Sequence, residues 1–227
     1  MPCLLFREMC PGCGGSSEGG FCRTCSADMR RCPPACRRCG LPKPVARCPQ
    51  LGTPWLIDRV LAPFVYAPPL DHHVMALKYS GARHLGRALA LLVAAEAGGA
   101  LPEVDVLVPV PLHPRRLRER GYNQAAEIAR CLARAIHLPV LLRGIERRRP
   151  GASQTGQTAA ERRASVSSAF AVTRRLAGLR VAIVDDVITT GATVNALAGE
   201  LIAAGATSCV AIAAARTPEV PAQARNV

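Results

Sequence analysis

Residues 181–193 read Val-Ala-Ile-Val-Asp-Asp-Val-Ile-Thr-Thr-Gly-Ala-Thr, an apolar run that passes through paired acids into small hydroxyl residues. The apolar residues Val181 to Val184 predict a buried strand. Thr193 to Ala204 has the composition of a helix, and Gly205 stands just past its end, where glycine commonly caps a helix. The sequence therefore predicts a strand that is joined to a helix by a short loop.

The loop of this run has the chemistry of a phosphate site. The first N–H groups of a helix have no partner within the helix, and together with the helix dipole they bind anions. Threonine hydroxyls add donors, and glycine lets the backbone approach a ligand closely. The alternative is a plain junction in which a threonine caps the helix. The residues predicted to contact the phosphate are Thr189, Thr190, Gly191, Ala192 and Thr193.

Two acids, Asp185 and Asp186, precede the loop. We expect them at the carboxyl end of the strand, where open α/β sheets bind their ligands. Carboxylates in that position can accept hydrogen bonds from the vicinal hydroxyls of a ribose. A turn-forming aspartate is the alternative. Because acids and phosphate loop occur in one run, the sequence favours a ribose 5-phosphate site over a plain junction.

Strand and helix signals alternate along the rest of the chain, after a proline-rich junction at residues 42–54. Such alternation is typical of a parallel sheet covered by helices, so the predicted fold class is α/β. A helical signal from Leu70 to Ala97 is broken near Gly81. The other predicted elements are strands at Val65 to Tyr66, Val104 to Val110 and Ser208 to Ala214, and a helix at Asn123 to Ile136.

Cysteine usage sets the N-terminal segment apart, because nine of the eleven cysteines lie before residue 50. Cys10 with Cys13 and Cys22 with Cys25 form two Cys-x2-Cys pairs, the spacing of a tetrahedral zinc site. Disulfides or free thiols are the alternatives, and disulfides require an oxidising compartment. We expect the zinc to be structural, since so short a segment with few large apolar side chains does not build its own core.

The same spacing recurs 26 residues later in Cys36, Cys39 and Cys48, which predicts a second zinc ribbon. The position that corresponds to its fourth cysteine is Leu51, which cannot bind a metal. Two possibilities remain open at this point. Either Cys32 supplies the missing thiolate, or the second ribbon holds no metal.

A basic segment follows the predicted strand at Val104 to Val110. Its arginines form a cluster that suits a ligand with several negative charges, and its glycine and two amides can orient a ligand or cap the next helix. A solvated basic turn is the alternative. The residues predicted to bind this anion are Arg115, Arg116, Arg120, Gly121, Asn123 and Gln124, with Arg118 in the same cluster.

The polar segment from Arg147 to Arg163 has no apolar periodicity and predicts a loop. Such a loop either closes over the phosphoribosyl site as a lid or is an ordinary linker. The side chains with the chemistry to reach phosphates from it are Gln154, Thr155, Arg162 and Arg163.

Overall composition points to an anionic partner, because the 227 residues carry a formal charge of +13. Arginine supplies nearly all of that charge, which is also typical of a GC-rich genome. No signal-peptide core follows Met1, and the longest apolar stretch, Ala88 to Ala97, is too short to span a membrane. We therefore expect a cytoplasmic protein without a membrane span.

Residues 181–193 closely resemble the 5-phosphoribosyl 1-diphosphate (PRPP) motif of type I phosphoribosyltransferases. Further stretches are similar to the ComF family, and the resemblance covers nearly the whole chain. It departs from the family pattern at Leu51 and at Ser165. The stretches that carry it are Val108-Pro-Val-Pro-Leu-His-Pro-Arg-Arg-Leu-Arg-Glu-Arg-Gly-Tyr-Asn-Gln124, Gln154-Thr-Gly-Gln-Thr158, Glu161-Arg-Arg163 with Phe170, and Ala215-Arg-Thr217.

That family joins a zinc ribbon to a phosphoribosyltransferase-like domain. The resemblance thus implies a cysteine-rich, double zinc-ribbon module at 1–52 and a type I phosphoribosyltransferase-like parallel sheet with flanking helices at 53–227. It also implies that Thr189 through Thr193 hold the ribose 5-phosphate. Asp185 and Asp186 would hold the ribose hydroxyls together with Mg²⁺, and the basic segment would hold the diphosphate.

For function, the resemblance implies a PRPP-binding protein that acts in competence, in DNA uptake or in the use of imported DNA. Its expected partners are PRPP or a related phosphoribosyl ligand, single-stranded DNA and DNA-uptake proteins. The alternative is an active phosphoribosyltransferase of nucleotide salvage, which transfers ribose 5-phosphate to a nucleobase-like acceptor. No residue presents itself as a nucleobase-recognition or catalytic group, so the sequence predicts neither an acceptor nor turnover.

Overall fold

The computed structural model describes residues 8–42, 48, 54–98, 101, 103–149 and 169–218. In these residues a parallel sheet carries helices on both faces. The N-terminal elements are β1 (Glu8–Met9), β2 (Ser16–Ser17), α1 (Arg23–Ala27), β3 (Arg59–Leu61) and β4 (Phe64–Val65). There follow α2 (Leu70–Tyr79), α3 (His84–Ala97), β5 (Val106–Pro109), α4 (Pro114–Arg120) and α5 (Gln124–Ala135). The last elements are β6 (Ile145–Arg147), β7 (Phe170–Val172), β8 (Arg180–Ile188), α6 (Ala192–Ala203) and β9 (Ser208–Arg216).

The sheet has the strand order β3, β9, β8 and β5, and β4 also pairs with β9. All of these pairings are parallel. In the register, Val184 of β8 lies opposite Ile212 of β9 on one side and Pro109 of β5 on the other. The predicted α/β class, a parallel sheet with flanking helices, is confirmed.

The two central strands are apolar on both faces, as expected for a parallel sheet that is covered on both sides. In β9 every residue after Ser208 is buried. β8 is longer than the apolar run predicted, because its pairing with β9 continues through Val187 opposite Ala215 and Ile188 opposite Arg216. The acids Asp185 and Asp186 consequently lie inside the strand, close to its carboxyl end.

Helices α2, α3 and α5 cover one face of the sheet, with Leu77, Leu89 and Leu132 in a core shared with Val184. Helix α6 covers the other face, where its Leu197 shares a core with Ile183, Trp55 and Cys39. The predicted break near Gly81 is present, since α2 ends at Tyr79 and α3 begins at His84. The cysteine-rich segment therefore contributes directly to the second core.

That segment runs along the β3–β4 side of the sheet. Its backbone forms hydrogen bonds with the strand residues, from Cys32 N to Pro63 O at 2.7 Å and from Val65 N to Arg30 O at 2.9 Å. A further bond joins Val60 N to Arg37 O at 2.9 Å. An edge strand that is paired in this way does not template association with other chains. The predicted domain boundary, between residues 52 and 53, falls outside the described residues.

Among the helices described, none combines the length and the apolar character that crossing a lipid bilayer requires.

Candidate functional site

The candidate phosphate loop, Thr189 to Thr193, connects the carboxyl end of β8 to the first turn of α6. Thr189, Thr190 and Ala192 are exposed, and Thr193 is half-buried. The helix it opens is twelve residues long, so its first amides carry the partial positive charge that attracts anions. The five predicted phosphate contacts thus lie on one turn, in which Gly191 is buried.

Gly191 occupies the N-cap position of α6 with a φ of 82°. A left-handed backbone of this kind favours glycine. The indole of Trp55 lies directly against it, since a Cβ placed on Gly191 would be 2.4 Å from Trp55 Cη2. Backbone conformation and close packing therefore both require glycine at this position.

The two predicted ribose-binding acids have different environments. Neighbouring residues of a strand point to opposite faces of the sheet. Asp186 is buried, with Oδ2 3.1 Å from Lys78 Nζ on α2, and its Oδ1 accepts a hydrogen bond from Val187 N at 2.8 Å. Oδ2 has no hydrogen-bond partner among the described residues, so its contact with Lys78 is an ion pair only. Asp186 is thus already neutralised by a side chain of the protein.

Asp185 is half-buried, and its Oδ1 accepts a hydrogen bond from Asp186 N at 2.9 Å. Burial, reinforced by the negative charge of Asp186, raises the pKa of the Asp185 carboxyl above its usual range. The positive charge of Lys78 opposes this shift only in part. A cation or a set of hydroxyl donors brought to Asp185 would favour its charged form, which is what a ribose diol or a divalent ion supplies.

The basic segment, residues 110–124, begins beside β8, where Val110 N donates to Val184 O at 2.9 Å. It contains α4 and then Gly121, which has a φ of 80°. Asn123 caps α5, since its Oδ1 accepts from Ala125 N at 3.0 Å and its Nδ2 donates to Val110 O at 2.9 Å. Gln124 is buried and accepts from Arg120. Asn123 therefore has the capping role, and Gln124 is held by Arg120.

The arginines of the basic segment differ in how they are held. Arg115 and Arg116 are exposed and share Glu119, at 2.9 Å and 3.6 Å. The Arg120 guanidinium lies 5.2 Å from the centre of the Tyr79 ring. A cavity of about 170 Å³ is lined by Lys78, Tyr79, Gly81, Arg116, Glu119 and Arg120. Two of the predicted arginines thus share a wall with the lysine that pairs with Asp186.

A larger cavity, of about 810 Å³, lies between the basic segment and β6. We call it the basic cavity. Its lining combines apolar residues with the phenol of Tyr122, and it includes five arginines, Arg83, Arg118, Arg130, Arg147 and Arg148. Arg83 and Arg130 both pair with Glu127, at 2.8 Å and 3.0 Å. The cavity has the charge and the room to take an anionic ligand.

Among the residues that the structure describes, two groups of thiols can hold a metal ion. In the first thiol cluster, the sulfur atoms of Cys10, Cys13, Cys22 and Cys25 all lie within 4.8 Å of one another. Burial opposes the thiolate of Cys10, but N–H groups of the knuckle, including Cys22 N at 3.2 Å, lower its pKa to about 6. A pre-formed thiolate is the form that binds a metal.

In the second thiol cluster, the sulfur atoms of Cys36, Cys39 and Cys48 lie within 4.8 Å of one another. Cys32 does not belong to this group, and Leu51 lies outside the described residues. Burial raises the pKa of the Cys32 thiol, an effect that the nearby Arg216 charge partly offsets. The structure thus brings together three of the four ligands predicted for this site.

The predicted lid begins in β6, which pairs antiparallel with β7. Gln154, Thr155, Arg162 and Arg163 lie outside the described residues.

Three residues of this region were not identified from the sequence as parts of the site: Lys78, Trp55 and Arg216. Lys78 is one of only two lysines, and Trp55 is the single tryptophan. That scarcity was a signal available from composition. Arg216 is a charged residue at the end of an apolar run, and it is 2% exposed. A buried arginine always requires partners, so its position in β9 could have marked it.

Comparison with known proteins places these features in context. The model of the phosphoribosyl transferase domain family matches residues 119–224. The "DNA utilization protein YhgH" of Escherichia coli O157:H7 is 35% identical, with 82% of this chain and 86% of that protein covered. The "Competence protein F" of Haemophilus influenzae is 30% identical, with 84% and 89% covered. A solved glutamine PRPP amidotransferase from B. subtilis is 27% identical over 59% of this chain and 26% of that one, with a TM-score of 0.38.

Proposed function

The chain belongs to the ComF family, and on that basis we propose that it binds PRPP at the candidate phosphate loop and serves the use of imported DNA. One observation carries the proposal: the exposed turn Thr189–Thr193 opens helix α6 beside the half-buried carboxylate of Asp185. Ala192 N donates to Thr190 Oγ1 at 3.3 Å. A bound phosphate would replace that bond and accept from the first amides of α6, and the acid would accept from the ribose diol. The role in DNA use follows the names of the relatives.

Magnesium fits the acid side of this site. It is a hard cation that takes carboxylate and phosphate oxygens and is commonly held by one or two protein carboxylates together with the ligand. Asp185 is the acid that would contact it, whereas Asp186 would act through its ion pair with Lys78. The bound ion would neutralise phosphate charge, and the chain's own part is to orient the diol and the 5-phosphate.

The diphosphate of PRPP would extend towards Arg116 and Arg120. Both line the small cavity together with Glu119 and with Lys78, the ion-pair partner of Asp186, so three cations border that space. A cluster of this kind stabilises a polyanion better than isolated surface charges do. Arg115, Gly121, Asn123 and Gln124 would then support the segment rather than contact the ligand.

Zinc is the metal that we propose for the thiol clusters. Four thiolates at this spacing form a closed tetrahedral site in the first cluster. Such a site is structural, since four thiolates fill the coordination positions of the metal and none stays open for substrate.

Asp185→Asn is expected to weaken PRPP binding in the presence of Mg²⁺ by about tenfold or more, because losing a charged hydrogen-bonding partner costs about 1 to 3 kcal/mol. Titration calorimetry measures the PRPP affinity of the variant and of wild type. Glu103→Gln is the matched control, since it removes one negative charge near Arg180, where β8 begins. Equal PRPP affinities in wild type and in Asp185→Asn would contradict the proposed site.

Single-stranded DNA is the second ligand that we propose, with the arginines of the basic cavity as its phosphate contacts. Affinity should fall steeply with salt, by a slope of about 0.7 per phosphate neutralised. Arg118→Gln combined with Arg148→Gln should reduce both the affinity and the slope, whereas Arg174→Gln, outside the cavity, is the control. Fluorescence anisotropy at several salt concentrations measures this. Binding that does not depend on salt would rule out the phosphate contacts.

A further inference from the structure

Arg216, the last residue of β9, connects the second thiol cluster to the candidate phosphate loop. Its Nε donates to the carbonyl of Cys39 at 3.0 Å. Its Nη1 donates to the carbonyls of Ile188 at 3.0 Å and Thr217 at 3.1 Å, and also to that of Thr189. One buried guanidinium therefore holds a metal-ligand residue and the first residue of the loop at the same time.

Trp55 forms a second connection between the same two places. Its indole N–H donates to the carbonyl of Arg38 at 3.1 Å, within the turn between Cys36 and Cys39. The far edge of the same ring lies against Gly191 of the loop. The residues that flank Trp55 are bonded to α6, because Asn195 Oδ1 accepts from Leu56 N at 2.6 Å and Asn195 Nδ2 donates to Pro54 O at 2.9 Å.

The turn that carries these two carbonyls is the metal-binding knuckle itself. Its backbone closes through Gly40 N to Cys36 O at 2.8 Å and Cys36 N to Leu41 O at 2.9 Å. Gly40 packs on β3, where an added Cβ would lie 2.6 Å from Val60 Cγ1. Three thiols within 4.8 Å of one another suit a thiophilic cation such as zinc. A metal bound there fixes the carbonyls of Arg38 and Cys39 that Trp55 and Arg216 engage.

From these contacts we infer that metal in the second thiol cluster sets the conformation of the candidate phosphate loop, with Arg216 and Trp55 as positioning residues. Losing the metal frees the knuckle, and the loop then samples conformations in which its amides do not converge. A binding-competent state that is less populated lowers the apparent affinity in proportion. The consequence for PRPP rests on the proposed function, whereas the coupling of metal to loop order does not.

The test compares two variants of the full chain. Cys48→Ser removes a thiol from the second cluster, and Cys13→Ser removes an exposed thiol from the first. Each should lower the zinc content, measured by elemental analysis. Only Cys48→Ser should speed hydrogen exchange at the amides of residues 189–194, by about tenfold, because local opening sets that rate. The single tryptophan should also shift its emission in Cys48→Ser alone, and PRPP affinity should fall in that variant in proportion to the lost fraction of the binding-competent loop.

Three results would overturn the inference. One is a Cys48→Ser protein that loses zinc while its loop exchange and Trp55 emission match those of wild type. Another is a Cys48→Ser protein with unchanged zinc content, since the cluster then holds no metal. The third is equal acceleration by both variants. A wild type that binds no PRPP would remove the proposed function, but exchange and emission would still decide the coupling.

Trp55→Phe provides a variant that keeps all thiols. It retains an aromatic ring next to Gly191 and removes the N–H that donates to Arg38. Zinc content should stay as in wild type, and exchange at residues 189–194 should rise by about threefold or more, as losing one hydrogen bond implies. If Cys48→Ser does not fold, the test rests on Trp55→Phe. Unchanged exchange at residues 189–194 in Trp55→Phe then counts against the inference.

Discussion

Gly191→Ala is expected to lower the free energy of unfolding by about 2 to 5 kcal/mol and to abolish detectable PRPP binding. Overpacking a filled site costs about 1 to 3 kcal/mol, and a left-handed backbone costs an alanine about 1 to 2 kcal/mol. Both apply here, because the φ of Gly191 is 82° and its new methyl group would lie 2.4 Å from Trp55 Cη2. Denaturant unfolding and calorimetry with PRPP measure the two effects.

Gly178→Ala is the matched control for this substitution. Its φ is 80°, but no atom lies within 4 Å of the Cβ it would gain. It should show the backbone cost alone, about 1 to 2 kcal/mol, with PRPP binding retained. Equal losses of stability in the two variants would mean that packing against Trp55 contributes nothing at Gly191.

Lys78→Met is expected to cost about 3 to 5 kcal/mol of stability, because it leaves the buried carboxylate of Asp186 without its cation. Asp186 is 3% exposed, and the ion pair with Lys78 at 3.1 Å is its contact with positive charge. The double variant Lys78→Met with Asp186→Asn should recover much of the loss, since no buried charge remains. Urea unfolding of the single and double variants measures this.

Arg115→Met is the matched control, because it breaks an ion pair on the surface instead of a buried one. Its pair with Glu119 is shorter, at 2.9 Å, yet the side chains are 77% and 46% exposed. An exposed pair is worth about 0 to 1 kcal/mol, so this variant should be nearly as stable as wild type. If Lys78→Met were as mild as Arg115→Met, Asp186 would not carry a buried charge that depends on Lys78.

The fold was largely predictable from local signals. The apolar residues at Val181 to Val184 and at Ser208 to Ala214 predicted the two central strands, and the break at Gly81 predicted the division between α2 and α3. Each signal has a physical cause. Burial on both faces of a sheet requires apolar runs in its strands. A glycine with a positive φ ends a helix. The strand ends were less accurate, because pairing between β8 and β9 carries polar residues into the sheet.

The candidate phosphate loop was also predictable, since its amides and hydroxyls are neighbours in sequence. What the sequence did not separate was Asp185 from Asp186. Their different environments depend on Lys78, a residue of α2 that only the packed structure brings to β8. Cys32 also could not be placed from the sequence, although it lies close to Cys36 along the chain. Its backbone N–H bonds to Pro63 O and holds its segment along the sheet. Its thiol is therefore not in the second cluster. Contacts between residues far apart in sequence leave no local pattern.

The central position of β9 has a consequence for how the chain folds during synthesis. β9 is the shared partner of β3, β4 and β8, and it follows all three of them in the chain, at residues 208–216. The N-terminal half must therefore leave the ribosome with the inner edges of β3 and β4 open, and such unpaired edges invite aggregation until they are covered. Pairings between distant segments also form slowly, because the long loop between them must close first. A chain that ends before Ser208 would contain nearly all the residues of the site and still be unable to assemble it.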